Sequence, residues 1–121
     1  MKTVLTGILL VTLSACCNAQ EAKDSLFIVT YTTGPLWDTS KNPGEQMHFK
    51  EHSSRLGQLR KDGVIKFGAR YADKGIVVIA APTTAAAREI VFVDQAVANK
   101  LFVADIQKLS IFYDGCLERI R

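Results

Sequence analysis

The sequence has little cysteine and no excess of charge of one sign, and each shortage excludes a class of protein. Cysteine occurs three times in 121 residues, and Cys16 and Cys17 both lie in an apolar N-terminal segment. Cys116 stands alone in the remainder, so a disulfide framework is excluded, and this thiol is either incidental or forms an intermolecular bridge. Lys and Arg number 15 against 12 Asp and Glu. These charges are mixed along the chain, so we predict no nucleic-acid partner.

Phosphate-binding and metal-binding patterns are missing as well. The apolar run from Ile76 to Ala81 contains no glycine pattern that would cradle a phosphate, so we predict no nucleotide cofactor. His48 and His52 are four residues apart, a spacing that can place two imidazoles on one metal. No third ligand is indicated, and we therefore predict no metal and no other cofactor. The composition, 48% hydrophobic and 22% charged, is that of one small globular domain.

The N-terminal segment has the features of an export signal. Residues 1–19 carry a lysine at position 2, continue with an apolar stretch too short to span a bilayer comfortably, and end in small residues. The run Leu-Ser-Ala-Cys ending at Cys16 resembles a bacterial lipobox. That resemblance implies cleavage before Cys16 and its acylation, which would tether the protein to a membrane surface. The alternative is cleavage after Ala19. Either route predicts export, to the cell envelope or to a periplasmic or secreted location, with residues 20–25 as a linker.

Hydrophobic periodicity in residues 26–121 predicts the order β-α-β-β-α-β. A sheet with two helices on one face fits a ferredoxin-like α+β domain. The other face of so apolar a sheet would not stay bare in water, which predicts a homodimer. Residues 94–100 are predicted as a turn or short helix. The predicted strands are 26–31, 64–71, 75–81 and 101–113, and the predicted helices are 45–61 and 83–93.

These residues, taken in order, resemble a known family. Four features occur in order: His52, Gly63, the strand-hairpin-strand that follows, and a helix ending at Asp94. Together they are similar to the YciI-like (YCII-related) domain over about residues 26–116. The resemblance implies a dimeric α/β-barrel built from two ferredoxin-like units. It also implies a pocket containing a His and an Asp, at His52 and Asp94, and action on small, ring-derived organic acids by proton transfer or elimination. The family usually has proline after its Asp, where this chain has Gln95.

The pair implied by the resemblance has a chemical rationale. Imidazole is the side chain whose ordinary pKa lies near neutrality, which suits His52 to the role of general base, and Asp94 would orient the ring and stabilise the imidazolium. No ordered hydroxyl nucleophile is indicated beside them, which favours acid–base chemistry over acyl transfer. The competing interpretations are that His52 is a histidine at the edge of the core and that Asp94 is a water-exposed residue at a helix C-terminus.

Three further residues are predicted to bind substrate. Arg55 and Arg70 offer a clamp for an anionic group, and Trp37, in a Gly-Pro loop, offers a lid. Their competing roles are solvated surface charge for the arginines and a loop anchor for the tryptophan. The hypothesis is an exported YciI-like homodimer with isomerase-like or lyase-like activity on a small anionic or ring-derived molecule. The alternative is a non-catalytic ligand-binding module or a structural envelope lipoprotein.

Overall fold

A computed structural model describes residues 23–121 of the chain, so the predicted signal peptide and Cys16 lie outside the described residues. Within the described part, four strands and three α-helices follow one another in the predicted order, and the third helix is the short one that residues 94–100 allowed. None of these helices combines the length and the apolar character needed to span a bilayer. The elements are β1 (Ser25–Thr33), α1 (Phe49–Lys61), β2 (Ile65–Tyr71), β3 (Lys74–Ala81), α2 (Thr84–Phe92), α3 (Gln95–Ala98) and β4 (Phe102–Leu109).

The sheet is antiparallel throughout, with the strand order β2-β3-β1-β4. Val29 of β1 lies opposite Val77 of β3 on one side and Ile106 of β4 on the other, so these three side chains share one face. That face carries the core. The predicted α+β architecture is therefore confirmed, and the strand order is compatible with a ferredoxin-like fold.

Alternation along the central strands decides which side chains reach the helices. Phe27, Val29 and Tyr31 of β1 are buried, and they pack in one cluster with Ala87 and Val91 of α2. Their neighbours in β1 point to the opposite face and are only half-buried. No helix of residues 23–121 covers that second face, because α1 and α2 both pack on the first. Burial of apolar surface contributes about 25 cal/mol per Å² to folding stability. Most of this contribution comes from the face of the sheet on which the helices pack.

Helix α1 begins four residues later than the sequence predicts. Pro43–Glu45 form a separate turn of 3₁₀-helix, and His48 then adopts a left-handed backbone conformation with φ of 66°. This conformation cannot continue a right-handed helix, so α1 begins at Phe49. Its end is as predicted: Gly63, with φ of 76°, allows the Val64 N–H to bond the Leu59 carbonyl at 2.9 Å. That bond closes a Schellman motif.

The last strand is shorter than predicted. The sequence predicts an extended segment over residues 101–113, but β4 ends at Leu109, which is paired with Leu26. The reason is the register with β1, which begins at Ser25 and leaves almost no ladder partners beyond that point. Residues 110–121 continue without regular structure and are exposed, Cys116 among them.

Candidate functional site

His52 and Asp94, 42 residues apart in sequence, meet in the interior. Nδ1 of His52 lies 2.7 Å from Oδ2 of Asp94. His52 is carried on the inner face of α1, and it is 7% exposed, while Asp94 is 2% exposed. The competing interpretation of Asp94, as a water-exposed residue at a helix C-terminus, is therefore wrong. The residue lies between α2 and α3 in an extended conformation, and its side chain faces inward.

Asp94 is held by a second hydrogen bond as well as the one with His52. Its Oδ1 accepts from the Ala96 N–H at 2.9 Å, which makes Asp94 the N-cap of α3. Burial by itself raises the pKa of this carboxyl, but the hydrogen bond and charge of His52, the Ala96 N–H and the charge of Arg55 outweigh it. The pKa of Asp94 is consequently held below its usual range, and the carboxylate is ionised at neutral pH.

An ionised Asp94 sets the tautomer of His52. A carboxylate is only an acceptor, so the short contact requires the proton to be on Nδ1. In the neutral ring, Nε2 then carries the lone pair. Nε2 makes no hydrogen bond within residues 23–121, and it is not sealed off from solvent. The lone pair of Nε2 is therefore free to accept a proton from a molecule bound beside the ring.

The space beside the ring is a cavity of about 520 Å³ between α1 and the sheet. Its volume lies in the range of pockets that bind small molecules. Most of the lining is apolar or aromatic, with His52, Arg70 and Asp73 as the titratable side chains beside the phenol of Tyr31. The lining residues are Tyr31, Thr33, Trp37, Pro43, Phe49, His52, Ser53, Leu56, Gly68, Ala69, Arg70, Asp73, Gly75, Ile76, Val77 and Phe102.

Phe102, the first residue of β4, is the centre of the aromatic part of this lining. Its ring centroid lies 4.8 Å from that of His52 and 5.7 Å from that of Trp37. The Tyr31 ring meets His52 edge-on at 5.2 Å. Contacts of this kind hold rings at fixed angles, so the imidazole is constrained both by Asp94 and by its aromatic neighbours.

The loop that carries Trp37 is fixed at both ends. At its start, the Gly34 N–H bonds the Leu101 carbonyl at 2.8 Å, and a Cβ at Gly34 would overlap the carbonyl oxygen of Lys100. Further along, the buried Gln46 amide accepts from the Asp38 N–H at 2.9 Å and donates back to the Asp38 carbonyl. Trp37 is thus a half-buried wall of the cavity that the loop holds in place.

The two arginines predicted to clamp an anion lie apart. Arg70 lines the cavity and is exposed. Arg55 does not line it. Its Nη2 instead donates to the Ile90 carbonyl of α2 at 2.8 Å, and its Nε is buried without a partner in residues 23–121. The structure therefore places Arg55 outside the cavity lining, and its charge lowers the pKa of Asp94.

No protein-family model matches the chain, and no curated protein matches it. The site must therefore be interpreted from its own geometry. In the described range, 23–121, there is no group of three or more His, Cys, Asp or Glu side chains that could hold a metal ion. His48 caps the start of α1, and it is not among the cavity-lining residues.

Sequence reasoning missed three residues of the site. Tyr31 and Phe102 stand on strands, where an aromatic residue is typical of a core, and no pattern distinguishes a cavity wall from a filled core. Gln46 lies in a stretch predicted to be helical. The one signal available for Tyr31 was its alternation with Phe27 and Val29, which places it on the same face as the core-forming residues.

Proposed function

We propose that the protein is an acid–base enzyme that removes a proton from carbon in a small organic molecule, with His52 as the base and Asp94 as the residue that orients it. The observation that carries this proposal is the 2.7 Å contact of Nδ1 with Oδ2, which leaves Nε2 of a fixed imidazole at a cavity. The product would be an isomer, or the unsaturated compound left by elimination.

The cavity supports an unsaturated or ring-derived substrate with a carboxylate. Phe102 and Trp37 offer flat apolar walls, and Arg70 lines the same cavity as a cation. A planar guanidinium suits a carboxylate because it can donate two parallel hydrogen bonds. The resemblance to YciI-like domains, whose relatives are proposed to act on ring-derived acids, agrees with this choice. Gln95, where that family has proline, is the first residue of α3, a position that does not require proline.

We further propose that two copies pair through the uncovered sheet face, as the resemblance to a dimeric α/β-barrel implies. The face carries Leu26 and Ile28, both half-buried, and Val103, which is 47% exposed. Apolar side chains on a face that no helix covers favour association with a second apolar surface. Export of the chain is proposed from residues 1–19 alone, by lipid attachment at Cys16 or by cleavage after Ala19.

Deuterium exchange tests the chemistry even when the product is unidentified. Proton NMR in deuterated water follows loss of the hydrogen next to a carbonyl in a panel of small cyclic and aromatic keto carboxylates and lactones. The wild-type chain should accelerate exchange of at least one probe, and His52→Asn should lower that rate by about a hundredfold to ten-thousandfold, the usual contribution of a general base.

His48→Asn is the matched control. It makes the same chemical change on the same helix, at a residue that does not line the cavity, and asparagine tolerates its left-handed backbone. Exchange by His48→Asn should equal that of the wild type. Exchange that is as fast in His52→Asn as in the wild type would refute the proposal. Saturable binding of a probe that requires His52, with no exchange of any probe, would favour the non-catalytic binding module instead.

A further inference from the structure

Tyr31 is a buried phenol next to the proposed base. It lies on the inner face of β1, and it is 7% exposed. Its ring meets the His52 ring edge-on, with centroids 5.2 Å apart and planes at 78°, and it contacts Phe102 in a similar way at 6.2 Å. The ring is therefore held from two sides, which fixes the direction of its hydroxyl.

The Tyr31 hydroxyl is not used by the fold. It makes no hydrogen bond within residues 23–121. In the same range, the only side-chain nitrogen or oxygen that is both inaccessible to solvent and without a hydrogen-bond partner is Nε of Arg55. The hydroxyl oxygen must therefore keep some contact with solvent. Since Tyr31 lines the same cavity as His52, the cavity is where that contact can occur. Buried tyrosine hydroxyls usually find a partner, so a free one at a cavity is available to a bound molecule.

The charges around Tyr31 keep the phenol protonated. Burial raises its pKa well above the usual range, and the negative charge of Asp94 raises it further, while Arg55 opposes this effect. A neutral phenol is a hydrogen-bond donor at every pH at which a histidine base operates. Ser53 and Thr33 also line the cavity with hydroxyls, but both are exposed, and a donor in contact with bulk water is weaker than a buried one.

We propose that Tyr31 is a further catalytic residue, which donates a hydrogen bond from its phenol to the substrate oxygen that becomes negative when His52 removes a proton. This inference rests on the proposed function. In the step, the C–H bond next to a carbonyl breaks and its proton bonds to Nε2 of His52. The electron pair forms a carbon–carbon double bond, and the carbonyl electrons move onto oxygen, which accepts from Tyr31. Return of the proton to a different carbon gives the isomer and restores the neutral imidazole.

A fixed donor of this kind acts where charge develops. Such donors stabilise the transition state more than the ground state because the carbonyl oxygen is neutral before proton removal and anionic after it. The neutral state of the phenol is essential, since a tyrosinate would repel the developing charge. Asp94 would thus act on both residues, because it orients His52 and helps to keep Tyr31 protonated.

Binding of para-nitrophenol to the full chain tests this role apart from turnover. Its anion resembles an enolate, and its absorbance reports whether the bound molecule is ionised. Tyr31→Phe removes the hydroxyl and keeps the ring that packs against His52 and Phe102. The variant should bind the anion about tenfold to a hundredfold more weakly, the range expected for loss of a hydrogen bond to a charged group. The apparent pKa of the bound probe should also rise, which a purely structural role of Tyr31 would not cause.

Tyr113→Phe is the matched control, because Tyr113 is 85% exposed in the C-terminal segment and does not line the cavity. It should bind the probe as the wild type does, and thermal melting of both variants should match that of the wild type. In the exchange assay, Tyr31→Phe should lower the rate at saturating probe by about tenfold or more.

Three results would overturn the inference. The first is a wild-type chain that does not bind para-nitrophenol at millimolar concentration. The second is a Tyr31→Phe variant that binds and ionises the probe like the wild type while His52→Asn still abolishes exchange; the proposed function would then stand and the role of Tyr31 would fall. The third is exchange that does not depend on His52, which removes both.

Discussion

Replacing Asp94 by asparagine separates the two tasks of its carboxylate. Asp94 presents Oδ1 to the Ala96 N–H at 2.9 Å and Oδ2 to Nδ1 of His52 at 2.7 Å. Asparagine has one acceptor oxygen and one donor amide, so it can satisfy only one of these contacts as they stand. Asparagine is as good an N-cap as aspartate, and we expect its oxygen to stay on Ala96. Its amide would then face His52.

An amide donor at Nδ1 reverses the tautomer of His52. Nδ1 becomes the acceptor, the proton moves to Nε2, and the nitrogen at the cavity can no longer accept a proton from substrate. In a catalytic triad the same exchange of Asp for Asn lowers turnover by about ten-thousandfold. We expect Asp94→Asn to lower deuterium exchange by about a hundredfold to ten-thousandfold. Loss of the charge-assisted bond should cost about 2 kcal/mol of folding free energy, with the cap retained.

Nitrogen NMR of the imidazole measures the tautomer directly, even before a substrate is known. The wild-type spectrum should show the proton of His52 on Nδ1, and the Asp94→Asn spectrum should show it on Nε2. Asp62→Asn, an exposed exchange at the end of α1, is the matched control and should leave the spectrum unchanged. An Asp94→Asn variant that keeps both the Nδ1 proton and wild-type exchange would refute the assignment of Asp94 as the orienting residue.

Three further predictions concern stability and assembly. Gly34→Ala should destabilise the fold by about 3 kcal/mol in urea unfolding, because the added Cβ meets the Lys100 carbonyl. Gly44→Ala, with open space around it, is the control and should be close to neutral. Equal effects of the two substitutions would refute the close-packing argument. Because the pKa of Asp94 is lower in the folded than in the unfolded state, its stabilising contribution is complete above the unfolded value, about 3.9, and is lost as the pH falls through the folded value. The fall should be shallower in Asp94→Asn. Ile28→Glu should dissociate the proposed dimer in sedimentation velocity at micromolar concentration, because it places a charge on the uncovered sheet face. Ala85→Glu, exposed on α2, is the control and should leave the dimer intact. A wild-type monomer would refute the dimer.

The order of strands and helices could be predicted because hydrophobic periods differ between the two elements. The α1 stripe of Phe49, His52, Leu56 and Leu59 repeats at helical spacing, and Gly63 supplies a backbone conformation that other residues rarely adopt. The errors lie where long-range contacts override local pattern. Nothing in the local sequence shows that His48 takes a left-handed conformation and delays α1, or that β1 leaves residues 110–113 without a partner.

Predicting the site needed more than periodicity. Helical spacing brings His52 to the inner face of α1, but it does not say which of several carboxylates the ring will meet 42 residues later. Only the resemblance singles out Asp94, and the local pattern places that residue at the end of α2. Its role as the N-cap of α3, a helix of four residues, depends on a break between α2 and α3. Hydrophobic periodicity is read over a window of about eleven residues, which is too wide to detect that break.

The turn that holds the base also builds one wall of the cavity. Asp94 starts α3, and the residues that follow it carry the two carbonyls, of Lys100 and Leu101, that bond the start of the Trp37 loop. The next residue is Phe102, which packs on His52 and Trp37. A base, its orienting carboxylate and two aromatic walls are thus fixed by one short segment, 94–102. Since loss of the cap would disturb all of them together, Asp94→Asn, which keeps the cap, tests the chemistry more cleanly than Asp94→Ala.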